Sequence, residues 1–179
     1  MLRIHLKGTL SSQKTAELLT KAAREIFPDC RYDSIVVADG GEGTTDAVLA
    51  ATNGQKISLQ VHGPLWEDIT CSYGILDQNR VVMEMAAASG LPLVPKEKKD
   101  PRYTTSYGTG EMIADALKRG YRDISIAIGG SATNDGGIGC IRALGGKFLD
   151  DCGQELKGCG EDLIKIRKID LTELNPLVK

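Results

Sequence analysis

Apolar and polar positions follow two periods along this chain, and the period switches several times. Between 14 and 27, Ala16, Leu19, Ala22, Ala23 and Ile26 recur at helical spacing, which predicts an amphipathic helix. Pro28 and Asp29 end it. Residues 34–38 (Ser-Ile-Val-Val-Ala) read as a short buried strand, and 44–52 as a helix stopped by Asn53-Gly54. From 56 to 62 the period drops to two, with Ile57, Leu59 and Val61 on one side of a half-buried strand. Gly63-Pro64 turns the chain. Two further apolar runs, 69–76 and 80–86, flank Asp77-Gln78-Asn79 and predict a hairpin. A helix over 109–119, a continuous apolar strand over 123–128 and a helix over 136–144 follow. A strand without a polar side is expected to be covered on both faces, as in a parallel sheet. The tail, 150–179, is more polar and weakly patterned.

This order predicts a mixed α/β fold with an antiparallel insert near 55–90. Residues 1–54 form a first α/β segment. Residues 55–179 form a second, which holds the insert and a glycine-rich loop at 129–139. A length of 179 residues fits one domain or slightly more.

Composition narrows the function classes. Lys and Arg number 22 against 24 Asp and Glu, a net charge of −2 with no basic run, so nucleic acid is not the expected partner. No stretch approaches the roughly 20 apolar residues of a membrane span. The start, Met1-Leu-Arg-Ile-His-Leu-Lys, lacks the apolar region and cleavage site of a signal peptide. A cytoplasmic chain without a membrane partner is expected. The five cysteines (30, 71, 140, 152 and 159) contain no CxxC pair, and no histidine accompanies Cys152 and Cys159, so reduced, mostly buried thiols are expected.

The candidate chemistry lies at three glycine-rich junctions between strands and helices. The first is Asp39-Gly40-Gly41-Glu42-Gly43-Thr44. The second is Thr104-Thr105-Ser106-Tyr107-Gly108-Thr109-Gly110-Glu111. The third runs from Gly129-Gly130-Ser131-Ala132-Thr133-Asn134-Asp135 through Gly136-Gly137 to Gly139. Glycines let backbone approach a ligand, and a helix N-terminus offers N–H groups to an anion. None of the three is a Walker loop or a dinucleotide fingerprint. Each is therefore either a tight turn or a seat for a small anion or phosphate. Asp39 and Asp135 are either helix caps or groups that hold Mg²⁺ or accept a hydroxyl proton. Glu42 and Glu111 fall in first helical turns, where the dipole favours acids. Glu84, inside the run Val81-Val82-Met83-Glu84-Met85-Ala86, lies either on an open sheet face or in a buried pair. His5 and His62 have no evident partners. A single Trp and few other aromatics disfavour flavin chemistry.

Four stretches carry a resemblance: Ala38-Asp-Gly-Gly-Glu-Gly-Thr, Met83-Glu-Met-Ala-Ala-Ala-Ser-Gly-Leu-Pro-Leu-Val-Pro, Thr105-Ser-Tyr-Gly-Thr-Gly-Glu and Ile128-Gly-Gly-Ser-Ala-Thr-Asn-Asp-Gly-Gly. In this order they resemble the bacterial glycerate kinases of the glycerate 2-kinase type, over residues 7–179. The resemblance implies ATP-dependent, Mg²⁺-assisted phosphorylation of D-glycerate to 2- or 3-phosphoglycerate. It also implies two α/β domains, one with a flavodoxin-like parallel sheet, and a cleft between them.

By the same resemblance, Gly40, Gly41 and Gly43, with Gly129, Gly130, Gly136 and Gly137, line the substrate or phosphate site. Ser131, Thr133 and Asn134 bond glycerate or phosphate oxygens. Asp39 and Asp135 are the candidate bases or Mg²⁺ ligands, and Lys7 steadies a phosphate. Two features depart from the family. The Ala-Pro-Asp-Ser segment that usually precedes Lys-Gly is absent before Lys7-Gly8, and the family continues well beyond Lys179. The chain thus resembles an N-terminal half, truncated relative to the two-domain fold. The alternatives are a non-catalytic fragment, with a homodimer formed through bared apolar surface, or a small-anion-binding α/β domain.

Overall fold

The computed structural model describes residues 10, 12–34 and 37–178. Its contacts divide the chain into two compact units, residues 1–39 and 40–179.

In the first unit, α1 (Ser12–Ile26) realises the helical period of its sequence. Arg24 lies in its last turn, where a cation complements the helix dipole. The Tyr32 hydroxyl lies 2.9 Å from the Ala23 carbonyl oxygen and 2.7 Å from that of Phe27, folding the chain back onto the helix end. The apolar stripe is sparsely covered: Leu19, Ile26 and Phe27 are exposed. Lys7 lies outside the described residues, as do His5 and positions 35 and 36 of the strand expected over 34–38. Residues 37–39 carry no strand pairing with the described residues.

The second unit is built on a four-stranded sheet in the order β1-β2-β3-β4. Strands β1 (Gln55–His62) and β2 (Asp68–Ile75) pair antiparallel from Gln55↔Ile75 to His62↔Asp68. Strand β3 (Arg80–Glu84) continues antiparallel, through Gly74↔Val82. Strand β4 (Asp123–Ala127) then joins β3 in parallel, from Arg80↔Asp123 to Glu84↔Ala127. The crossover runs through α3 (Ala86–Ser89), two short 3₁₀ turns and α4 (Tyr107–Lys118). The insert expected near 55–90 is therefore the antiparallel part of one mixed sheet, and the helix expected over 109–119 begins two residues earlier.

Helix α2 (Thr44–Thr52) precedes the sheet, and Asn53, in the left-handed region, ends it. Helix α5 (Ile138–Ala143) is shorter than the 136–144 expected, because Gly136 and Gly137 take left-handed conformations that belong to the loop. Strands β5 (Lys147–Leu149) and β6 (Lys168–Asp170) form a small separate sheet from the weakly patterned tail.

The main core gathers Val61, Cys71, Tyr73, Val81, Met83, Ala88, Met112 and Ala116 between the sheet and α4. The Tyr73 ring is fully buried and its hydroxyl donates to Asp115 Oδ2 at 2.8 Å, so its polar end is satisfied. Burial pushes the Cys71 thiol up to about 12 and the Cys140 and Cys159 thiols up to about 11. Cys30 and Cys152 are exposed, so the expectation of mostly buried thiols holds for only part of the set.

The expected cover over 123–128 is corrected. Ile126 remains 38% exposed and Ile128, just beyond the strand, 75% exposed, and β4 pairs only with β3 among the described residues. No helix among the described residues is long and apolar enough to cross a membrane.

Candidate functional site: three glycine-rich junctions

The parallel pairing of β3 and β4 fixes the site region. It places the carboxyl ends of both strands side by side, the edge of α/β sheets from which ligand-binding loops spring. Glu84 ends β3, and Gly129-Gly130 follow β4.

At the first junction Gly43, with φ near 88°, caps α2 without a side-chain bond of its own. The cap comes from far along the chain. Glu84 Oε2 accepts the Gly43 N–H at 3.2 Å, and Oε1 accepts the Thr45 N–H at 2.5 Å. The positive end of α2 is thus met by an internal carboxylate that is 7% exposed. Of the two readings open for Glu84, the buried, bonded one is found. The Thr44 hydroxyl donates to the Gly41 carbonyl at 2.7 Å. Gly40 and Gly43 leave open space where a side chain would stand, so a ligand can approach their backbone.

The third junction is tied to the first by the Gly129 N–H, which donates to the Gly40 carbonyl at 2.7 Å. It is tied to the start of the crossover as well: Leu91 N–H donates to the Gly130 carbonyl, and Ala132 N–H to the Ser89 carbonyl, each at 2.9 Å. The hydroxyls of Ser131 and Thr133 lie 2.9 Å apart, either being the donor, and both residues are half-buried. Asn134 and Gly136 are exposed.

Asp135 binds the second junction to the third. It is 2% exposed. Its Oδ2 accepts from the Ser106 N–H and hydroxyl, each at 2.8 Å, and from the Gly139 N–H at 3.3 Å. Its Oδ1 accepts from the Gly137 N–H at 2.9 Å. The Ser106 oxygen in turn accepts the Cys140 N–H at 3.0 Å. Both oxygens of Asp135 are therefore bonded by donors of the chain itself, as a buried carboxylate requires.

Two sequence candidates find other partners. Glu111 accepts the His62 backbone N–H at 2.7 Å and lies 3.0 Å from His62 Nδ1. The His62, Trp66 and Tyr107 rings pack together with centroids 5.0–5.8 Å apart, holding the tip of the β1–β2 hairpin to α4. Asp39 is exposed, in the first unit.

The sequence places Ser106 and Thr104 in the second junction but gives them no role of their own; both are at most 1% exposed. The His62–Glu111 pair had no local signal, since 49 positions separate its members.

For a Mg²⁺ ion the donor chemistry divides these carboxylates. Those of Glu84 and Asp135 are occupied by N–H and O–H donors. Asp39 is exposed, and Mg²⁺ usually takes one or two carboxylates alongside waters and phosphate oxygens.

The sequence profile of the glycerate kinase family matches residues 5–179. Glycerate 2-kinase of Escherichia coli is 51% identical over 174 residues, 97% of this chain and 46% of that protein. Glycerate kinase of Bacillus subtilis is 46% identical over 170 residues, 94% of this chain and 44% of that protein. A crystal structure described as that of a glycerate kinase 2 from Salmonella typhimurium matches with a TM-score of 0.79 and 43% identity, covering 95% of this chain and 46% of that one. The chain spans a little under half the length of these relatives, and with a match that runs through all three junctions it belongs to the glycerate kinase family.

Proposed function

We propose that this chain carries the N-terminal half of a glycerate kinase apparatus, which transfers the terminal phosphoryl group of ATP to a hydroxyl of D-glycerate. The observation behind this reading is the family match over 5–179, with relatives named as glycerate kinases at 51% and 46% identity. In the reaction the glycerate hydroxyl oxygen attacks the γ-phosphorus, the bond from that phosphorus to the ADP oxygen breaks, and the hydroxyl proton passes to a carboxylate. Such transfer depends on positioning and charge neutralisation more than on covalent steps by the protein.

The resemblance divides the roles. Gly40, Gly41 and Gly43 present backbone to phosphate oxygens, and the open faces of Gly40 and Gly43 suit that approach. Gly129, Gly130, Gly136 and Gly137 line the substrate side, where Ser131, Thr133 and Asn134 hydrogen-bond glycerate. Lys7 steadies a phosphate. Asp39 and Asp135 are the candidate proton acceptors or Mg²⁺ ligands, and Asp135 in addition accepts four bonds that orient both loops. Mg²⁺, when bound, neutralises phosphate charge as it builds. The proposed setting is the cytosol, with the chain as monomer or homodimer.

The test joins this chain to the C-terminal remainder of the Escherichia coli relative. Phosphoglycerate formation from D-glycerate and Mg-ATP is then followed, with the unjoined chain in parallel. The joined protein is expected to turn over, and the chain alone to be slower by several orders of magnitude. No turnover by the joined protein, under conditions where the intact relative works, overturns the kinase reading.

A further inference from the structure

A cavity of about 240 Å³ opens beside the third junction, within the second unit. It falls just below the range of roughly 300–1,000 Å³ typical of drug-sized ligands. A nucleotide with its base, sugar and phosphates is too large for it, while a three- or four-carbon molecule fits. Leu91, Val94, Pro101 and Ala132 supply an apolar wall. The hydroxyl-bearing residues Ser131 and Thr133 supply the polar side. The Ser131 oxygen accepts the Thr133 N–H at 3.0 Å and has the Thr133 carbonyl as an acceptor at 3.3 Å; with Ser131 donating the mutual bond at 2.9 Å, the Thr133 hydroxyl proton is left to donate. The Thr104 hydroxyl is committed, donating to the Ala132 carbonyl at 2.9 Å and fixing the floor.

Charge at this cavity is one-sided. Lys99 and Asp100 both line it. Asp100 is occupied: Arg102 reaches its oxygens at 2.6 and 3.0 Å and holds its carboxyl below the usual range. Lys99 has no ion pair among the described residues, and neither have its neighbours Lys96 and Lys98. The segment 96–102 carries Lys96, Lys98, Lys99 and Arg102 against Glu97 and Asp100, so it presents a net positive field at the cavity, which favours anions.

We infer that this cavity is the seat of a short hydroxy-carboxylate, with Lys99 meeting the carboxylate and the Ser131–Thr133 hydroxyl pair meeting an alcohol oxygen. The inference rests on the glycerate reading and deepens it. It adds Lys99, which no sequence motif singled out, as a specificity-determining residue, and separates the acid's seat from that of the nucleotide.

Calorimetric titration of the whole chain with D-glycerate tests it, beside lactate and inorganic phosphate and with the variants Lys99→Met, Lys99→Arg and Lys98→Met. All three variants change exposed positions, so folding is preserved. D-Glycerate is expected to bind more tightly than lactate or phosphate. Lys99→Met should weaken it by about tenfold or more, the worth of one charge-assisted contact. Lys99→Arg should restore most of the loss, and Lys98→Met should stay within about twofold, because Lys98 contributes field but no contact.

Binding of D-glycerate that ignores Lys99→Met, or that falls equally with Lys98→Met, overturns the cavity assignment and leaves the glycerate reading standing. Phosphate binding as tightly and in competition overturns the ligand class. No binding of any hydroxy acid overturns the inference for this chain, while turnover by the joined protein decides the kinase reading separately.

Discussion

At the scale of single residues, the buried carboxylates decide the most. Asp135 gathers four donors from two loops that are far apart in sequence. In Asp135→Asn an amide nitrogen replaces one oxygen. Whichever way it turns, it faces at least one N–H that needs an acceptor. Each buried donor so orphaned costs roughly 1–3 kcal/mol, and a total of about 3 kcal/mol is expected. At 2–4 °C per kcal/mol for a chain of this size, the midpoint of thermal unfolding should fall by about 6–12 °C. A fall within about 1 °C would mean that the loops are held by other contacts. The candidacy of Asp135 was legible from its place in a glycine-rich loop. Its saturation was not, because the Ser106 donors come from a segment 29 positions earlier. Glu84 was legible as an anomaly, a charge within an apolar run, but its partners 39 and 41 positions away were not.

At the scale of elements, local pattern predicted well wherever the environment is local. Alternation marked β1 because one side of that strand packs on the core through Ile57, Leu59 and Val61. Asn53 stopped α2 by adopting φ near 54°, a conformation Asn tolerates. Pattern failed at β4, whose continuous apolar run implied two covered faces. Cover is a property of neighbours, and β4 has one strand neighbour among the described residues.

A test of element packing sets propensity against close approach at Gly108, near the start of α4. Alanine in place of glycine favours a helix by about 1 kcal/mol. A side chain here, however, would overlap the His62 carbonyl oxygen and press on Ala88 at 3.2 Å. Helix and strand must then separate, with strain of about 1–3 kcal/mol. Gly108→Ala is expected to lower the urea midpoint. A raised midpoint would mean that α4 can slide on β1 without loss.

At the scale of the whole molecule, apolar exposure is the salient property. Ile126, Ile128, Ile164, Ile169 and Leu171 are all exposed. Scattered exposed aliphatics are ordinary, but Ile126 and Ile128 lie at and just beyond the end of a strand that has one strand neighbour among the described residues, the kind of edge that invites association. Self-association is expected on concentrating the chain, and sedimentation velocity reads it directly. Ile128→Lys should weaken it by about tenfold or more, the worth of burying one such side chain. A monomer at all concentrations would show this edge to be harmless. The family was legible at this scale from four ordered motifs, although the folding of each motif rests on contacts that no single motif contains.

The reach of Glu84 bears on the order in which the site forms and on whether its parts can be moved. Helix α2 has nine residues, fewer than the roughly 12–15 that make an isolated helix even marginal in water. Its N-terminal amides wait for a carboxylate that arrives only when β3 is in place. The cap of the first glycine loop is therefore complete only with β3 in place. Grafted into another scaffold as a peptide, Asp39-Gly-Gly-Glu-Gly-Thr-Thr would bring its glycines without the acid that shapes them. The unit that evolution or a designer can transplant is the loop together with β3.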